Sequence, residues 1–342
     1  MIPDQDRFKD VYMRALRREW ELRSPRLPPG APLSIYFGGG TPALMSPAAI
    51  QTILSWISPP ASCEITLEAN PENVTLDKMR AFYTCGINRI SLGVQALDDP
   101  LLATLTRSHG AQRAVDAVEA TASAGFQNIS IDLMYDLPGQ TLDQWRQTLG
   151  WAVQLPITHL SLYNLTIEPH TAFYKKRASL QQPPPDTSLA MLNEAVEVLE
   201  QAGLARYEIS AFARGNCISR HNSGYWTGRP FLGFGPSAFS YWEGSRFRNV
   251  AHLNKYAKAL EAGEDPADFK ETLPPIEQLK EHLAIGLRLL GGVTLHACPE
   301  PIQKTLSVLI QEGFLEKTET ALRLTPRGLL FHDTVAEEIM GC

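Results

Sequence analysis

What is scarce in this chain narrows its class before any motif is read. Five cysteines, Cys63, Cys85, Cys217, Cys298 and Cys342, are scattered along 342 residues, and no two form a C-x-x-C or other close pair. Neither a disulfide framework nor a metal knuckle can be read from such spacing, so most of these thiols are expected to be buried and inert. No apolar stretch is long enough to span a bilayer, and the N-terminus is charged and amphipathic rather than a signal peptide, which makes a soluble cytoplasmic protein the expectation. Basic charge is also short. With 31 Lys and Arg against 37 Asp and Glu, the net charge is −6 and no basic stripe is available to replace the counterions of nucleic acid. Hydrophobic residues make up 44% of the chain, ample for one large domain with a smaller appendage.

The most informative local feature is Gly38-Gly39-Gly40, preceded by the apolar run Leu33 to Phe37 and followed by Thr41-Pro42. Three glycines at a strand's carboxyl end let the backbone approach a ligand, with amides and carbonyls unshielded by any Cβ. Ser46-Pro47 then forms a good N-cap and N1 pair for a helix. A tight turn that binds nothing is equally compatible with these residues taken alone.

Apolar runs bounded by turn residues recur at Cys63 to Glu68, Asn88 to Leu92, Asn128 to Leu133, His159 to Leu165 and Tyr207 to Phe212. Helical spacing fills the gaps at Ala48 to Trp56, Leu76 to Tyr83, Ala114 to Ala124, Leu142 to Val153 and Leu189 to Gln201. Strands buried on both faces by crossover helices make a parallel sheet, and about six β-α units in a row predict a full or partial barrel rather than a doubly wound open sheet. The fold class is α/β. The chain opens on a helix, Asp6 to Leu22, which lacks the strand that should precede it in such a barrel.

Beyond Asn249 the character changes, so the expected division is 1–250 for the barrel and 251–342 for a small C-terminal helical domain. Glu277 to Leu290 and Pro301 to Glu312 read as helices, followed by a short hairpin (Phe314 to Lys317, Leu322 to Leu324) and a last helix near Leu329 to Met340. That succession is winged-helix-like. Its second helix offers only Lys304 to a phosphate, which favours a packing module over DNA binding. Gln182 to Pro185 reads as a rigid spacer.

Ligand sites of parallel barrels lie at the carboxyl ends of the strands, and polar residues line up there. Glu68, Gln95, Asp132 and Thr166 each fall at or beside a strand end, with Arg107 on the helical segment after Gln95. Carboxylates can hold an ammonium or ribose hydroxyls, and a guanidinium can fork onto a carboxylate. The set suits an amino-acid nucleoside, although any one member could equally be a cap or a structural ion pair.

The ordered motifs Phe37-Gly38-Gly39-Gly40-Thr41-Pro42, Glu68-Ala69-Asn70-Pro71, Ser91 to Gln95, Thr106-Arg107-Ser108-His109 and Ile131 to Thr141 resemble those of the HemN/HemW group. These are radical S-adenosylmethionine (SAM) proteins related to oxygen-independent coproporphyrinogen III oxidase. The resemblance implies a partial (β/α)6 barrel with its first strand missing, and SAM held by Gly39, Gly40, Thr41, Glu68, Gln95, Arg107, Asp132 and Thr166. Within the group, Tyr207 to Ala213 and His221-Asn222-Ser223-Gly224-Tyr225-Trp226 are more similar to the HemW-type heme chaperones than to the oxidase. Binding of heme and its delivery to an acceptor protein is what this implies, with peripheral membrane contact where the acceptor is membrane-bound. His221 can ligate iron, and Tyr225 and Trp226 can lie on a porphyrin face; alternatively, His221 and Asn222 pin a loop by hydrogen bonds. Phe239 stands where a histidine is common in HemW proteins, and stacking on adenine is open to it.

The departure from the family is at the front, where members carry a C-x-x-x-C-x-x-C loop for a [4Fe-4S] cluster and this chain has no such motif. Without that cluster, reductive cleavage of SAM is unsupported. A mis-assigned start or a cluster-free descendant would explain it, and the orphan first helix favours truncation. The readings that follow are a heme-binding chaperone of the radical SAM superfamily, a coproporphyrinogen-oxidase-like enzyme, or a cluster-free SAM-binding or interaction module.

Overall fold

Strands and helices alternate between Ser34 and Arg220, as the periodicity requires. In the computed structural model, which describes residues 5–167, 172–176, 180–294 and 298–342, this region forms one compact unit, Ser34–Leu54 with Ser62–Arg220. The second unit comprises Met1–Leu33, Ser55–Ala61 and His221–Cys342. Among the described residues, no helix is long and apolar enough to cross a membrane.

The first unit is a curled half-barrel built from β1 (Ser34–Phe37), β2 (Glu64–Ala69), β3 (Arg89–Gln95), β4 (Ile129–Tyr135), β5 (His159–Asn164), β6 (Ala205–Glu208) and β7 (Ala211–Ala213), in the order β1-β2-β3-β4-β5-β7-β6. β1 to β5 are parallel. Their connecting helices start on side-chain caps. Ser46 Oγ accepts from Ala49 N at 3.2 Å, Thr75 Oγ1 from Lys78 N at 3.3 Å, and Thr141 and Gln144 form a reciprocal capping box.

Successive side chains of a strand point to opposite faces, and here the two faces differ in chemistry. One carries Ile65, Leu67, Ile90, Leu92, Val94, Ile129, Ile131, Leu133, Leu160 and Leu162, none more than 7% exposed, packed with helix residues such as Met79, Phe82, Val118, Trp145, Leu149 and Leu199. The other carries Glu64, Thr66, Glu68, Arg89, Ser91, Ser130, Asp132, His159 and Ser161. Most of this second face is also buried, but it is held by hydrogen bonds: Ser130 Oγ to His159 Nδ1 at 2.8 Å, His159 Nε2 to Tyr207 Oη at 2.9 Å, and Arg220 N to Glu64 Oε2 at 3.0 Å.

The single strand expected at Tyr207 to Phe212 is a hairpin. β6 ends at Glu208, the chain reverses at Ile209-Ser210, and β7 runs antiparallel to both β5 and β6. Arg206 Nε donates to the Ile209 carbonyl at 3.1 Å and Leu162 N to the Ser210 carbonyl at 2.7 Å, which ties the turn to β5.

In the second unit the first helix, Gln5–Arg23, packs Ala15 with Tyr256, Ala257 and Leu260 of the helix Leu253–Glu261. A three-stranded antiparallel sheet, β8 (Phe239–Trp242), β9 (Ser245–Asn249) and β10 (Ala267–Thr272), was not anticipated from sequence. Its sequences, such as Ser245-Arg-Phe-Arg-Asn249, lack the apolar runs that mark buried strands. β9 pairs with both β8 and β10, and residues 221–250 fall in the same unit as the C-terminal region. The remainder is helical: Pro275–Gly286, Glu300–Gln311, the hairpin β11 (Leu315–Lys317) and β12 (Leu322–Leu324), then Pro326–Leu330 and His332–Gly341.

A buried ion pair anchors the first helix. Arg23 and Glu19, 1% and 0% exposed, meet at 2.8 Å. Arg23 also donates to Asn249 Oδ1 at 2.8 Å, to Asp265 Oδ1 at 3.0 Å and to the Gly233 carbonyl at 3.2 Å. Glu19 accepts from Gly235 N at 2.8 Å, from Asn249 Nδ2 at 2.6 Å and from the Tyr256 hydroxyl. Removing one member leaves the other charge buried and unpaired, which costs about 3–5 kcal/mol. Arg23→Ala should therefore lower thermal stability sharply, whereas Arg17→Ala, which removes an exposed i,i+4 pair with Glu21, should change it by less than about 1 kcal/mol. Equal melting shifts for the two variants in scanning calorimetry would contradict this.

Candidate functional site

The parallel strands deliver their polar face to a cavity of about 260 Å³ at their carboxyl ends. Gly40, Thr41, Glu68, Gln95, Arg107 and Asp132 line it, so six of the residues expected from sequence come together. Gly39 is adjacent, with its N–H on Glu68 Oε2 at 3.3 Å, while the Tyr36 hydroxyl donates to Glu68 Oε1 at 2.7 Å. One carboxylate thus ties the end of β2 to the glycine turn after β1. Gly39 has φ +102°, a conformation that L side chains rarely adopt, so this turn needs a glycine there.

At the end of β3 the pairing with β4 shifts register between Leu92 and Gln95, and Gln95 sits at φ +68°. A Cβ on Gly93 would lie 3.0 Å from Gln95 Nε2 and 3.2 Å from Asn70 Oδ1, so the bare glycine is what lets both amides occupy the site. Arg107 lies in the loop after the helix Asp99–Thr104 rather than on a helical segment, and it is placed by its neighbours. Ser108 Oγ donates to Glu72 Oε1 at 3.0 Å, and the buried His109 bridges Glu72 Oε2 and the Val94 carbonyl, each at 3.2 Å. Arg107 itself makes no ion pair among the described residues.

Asp132 is pushed up to about 7. Loss of solvation is the main cause and the nearby Glu68 carboxylate adds to it, against the Ser161 and Ser91 hydroxyls and the charge of Arg89. Tyr163, on the same strand face, is raised to about 12 by burial and by Asp132. An acidic, part-desolvated cavity facing a guanidinium is suited to a ligand that carries both a cation and a carboxylate.

Two expected members lie elsewhere. Thr166 is exposed, two residues past β5, and does not line the cavity. Phe239 belongs to the second unit, 52% exposed, with its ring edge-on to Phe269 at 6.4 Å and the Arg248 guanidinium 5.8 Å away. Asn70, Ser91 and Gly93 line the cavity without having been singled out. Ser91 and Gly93 are two apart, in step with Gln95, and Asn70 is two past Glu68, so the period-2 rule applied outward from the chosen residues would have found them.

His221, Tyr225 and Trp226 lie on the helix Arg220–Trp226. His221 Nε2 is 2.8 Å from the Tyr225 hydroxyl and the rings meet edge-on at 5.0 Å. Burial, with help from the charge of Arg229, lowers His221 to about 4. Tyr225 and Trp226 line a second cavity, of about 440 Å³, bounded by β8 and the helix Pro275–Gly286; Phe239 lines it too. The Arg288 guanidinium lies 4.4 Å from the Trp226 ring.

All five cysteines are free; Cys63 is buried and the other four are half-buried. Burial raises the Cys63 thiol to about 11 and pushes Cys85 and Cys298 upward as well, which disfavours the thiolate. Among the described residues no group of three or more His, Cys, Asp or Glu could hold a metal ion. The side chains described here therefore do not fit a [4Fe-4S] cluster.

The Radical SAM superfamily matches residues 26–152 and the HemN C-terminal domain matches residues 273–331. The heme chaperone HemW of Bacillus subtilis (strain 168) is 32% identical, over 97% of this chain and 92% of that protein. The chain belongs to the HemW family. Its Synechocystis relative, also named heme chaperone HemW, is 37% identical over 83% of this chain and 72% of its own length. The coproporphyrinogen III oxidase HemN of Escherichia coli, described as a radical SAM enzyme, superposes with a TM-score of 0.84 at 21% identity, covering 99% of this chain and 85% of that one. That likeness extends the shared fold across both units taken singly.

The raised Asp132 has a testable consequence for stability. Its ordinary value is 3.8, so the folded state favours the protonated form; the stabilisation this gives is full below about pH 4 and is lost as pH rises through about 7. Asp132→Asn stays neutral throughout. The variant should melt higher than the parent at pH 8, the two should converge near pH 4, and identical melting profiles over that range would exclude an uphill-shifted Asp132.

Proposed function

We propose that this chain binds heme and passes it to an acceptor protein in the cytoplasm, and that its half-barrel holds S-adenosylmethionine. The observation that carries the second part is the convergence of Glu68, Asp132, Gln95 and Arg107 on one cavity at the ends of parallel strands. The first part is supported by HemW relatives that match nearly the whole chain, and by an aromatic cavity beside the His221 to Trp226 segment.

Arg107 would fork onto the methionyl carboxylate, Asp132 and Gln95 would hold the ammonium or ribose hydroxyls, and Gly39, Gly40, Thr41 and Glu68 would form the wall at the glycine turn. When bound, SAM supplies a sulfonium centre. Residues of this chain orient it, and Asp132 takes the ionised form beside a cation, releasing its proton near neutral pH. Thr166 enters this reading only as an exposed rim residue, and Phe239 as a wall of the heme cavity rather than a partner of adenine. On the heme side, Tyr225 and Trp226 would cover the macrocycle, with His221 setting the Tyr225 hydroxyl. Residues 251–342 serve as a packing module in this reading, without nucleic acid as partner.

Two measurements test the parts separately. Titration with SAM in a calorimeter should show binding that Arg107→Ala weakens by roughly 2 to 5 kcal/mol, as for loss of one partner of a desolvated charge pair; unchanged affinity would remove Arg107 from the site. Incubation with ferric heme should give a saturable Soret band, and addition of an apo-acceptor should discharge it. A chain that never develops the band is not a heme carrier.

A further inference from the structure

The second cavity has the chemistry of a tetrapyrrole pocket, and one of its residues has no task in the fold. A metalloporphyrin presents an apolar disc, two carboxylates and an iron that takes an axial imidazole. The cavity, about 440 Å³, offers Tyr225, Trp226, Phe231 and Tyr241 as flat or edge-on surfaces. Tyr225 and Phe231 already meet edge-on at 4.7 Å, which holds the aromatic wall rigid.

Two buried donors of the lining, Trp226 Nε1 and Arg246 Nε, have no hydrogen-bond partner. Buried donors are ordinarily satisfied, and carboxylate oxygens of a ligand would satisfy these. The rest of the Arg246 guanidinium is held by Glu281 at 2.7 Å and Glu271 at 3.2 Å, so its position is set before any ligand arrives.

Across the cavity, the helix Pro275–Gly286 presents His282. His282 is exposed and makes no hydrogen bond or ion pair among the described residues. Its ring is nevertheless located: a Cβ on Gly228 would come within 2.9 Å of Nδ1, so the imidazole rests against a bare stretch of backbone at φ +66°. His221, the other candidate, has Nε2 committed to the Tyr225 hydroxyl at 2.8 Å.

We propose that His282 is the axial ligand of heme iron, with the macrocycle seated against Tyr225, Trp226, Phe231 and Tyr241. This rests on the heme-binding reading and adds to it the identity of the ligand. His221 is then a positioning residue that orients the wall.

The test titrates the full chain with ferric heme and, separately, with iron-free protoporphyrin IX, following absorbance and fluorescence. For His282→Ala, heme affinity should fall roughly tenfold or more, the Soret maximum should move, and added imidazole should restore it. Protoporphyrin affinity should not change in that variant, because no iron is there to be ligated, whereas Trp226→Ala should weaken both porphyrins. His221→Ala should keep the wild-type Soret position. If His282→Ala leaves heme affinity and the Soret position as they are in a wild type that binds heme, the proposal is wrong and the heme reading stands; if only His221→Ala moves the band, the ligand is His221. A wild type that binds neither porphyrin overturns both.

Discussion

Alternation along β2 to β5 is the constraint on which the half-barrel depends. Burying Ile65, Leu67, Ile90, Leu92, Ile131 and Leu133 against the helices forces every intervening residue onto the other face, where this chain places Glu64, Glu68, Arg89, Ser91, Ser130, Asp132 and His159. A one-residue slip would exchange the two sets, exposing the core and burying charges among the helices, so register is strongly specified. The polar face is stable only because its members find one another: Ser130 with His159, His159 with Tyr207, Arg89 with Asn128. At the carboxyl end that mutual satisfaction runs out, and the cavity begins there. Asp132 stands where burial and a neighbouring carboxylate both oppose its charge.

The second unit obeys a different economy. Around the first helix, the apolar packing of Ala15 on Tyr256, Ala257 and Leu260 is joined by one hydrogen-bonded ion pair, Glu19 with Arg23, which also gathers Gly233, Gly235, Asn249, Tyr256 and Asp265. That network fixes the loop leading into β8, and β8 is one side of the aromatic cavity. Stability and ligand capacity are thus coupled within this unit through a buried polar network that reaches the Gly233 and Gly235 backbone.

Much of the half-barrel was legible in the sequence because buried runs and helical periods are local signals. β1 to β5 and their helices were placed within a few residues, and Glu68, Gln95 and Asp132 of the cavity could be named from strand ends. The three-stranded sheet β8 to β10 was not legible, since β9 and β10 are rich in charge and half-exposed, with no period to detect. Nor was the reversal at Ile209-Ser210, which depends on a carbonyl accepting from Arg206 and another from Leu162 of a strand some 50 residues earlier.

The sequence alone determined the class: a β-α succession, a glycine turn after the first strand, carboxylates and an arginine near strand ends, and ordered motifs of one family. These follow from residue type and short-range spacing. Only the tertiary structure decided which polar residues share a cavity, because Glu68, Gln95 and Asp132 are joined by strand pairing and Arg107 by the loop after the helix Asp99–Thr104, rather than by spacing. It also decided that His221 is engaged with Tyr225 while His282, unremarkable in sequence, faces an aromatic cavity, since what a histidine can do is set by the neighbours that claim its nitrogens.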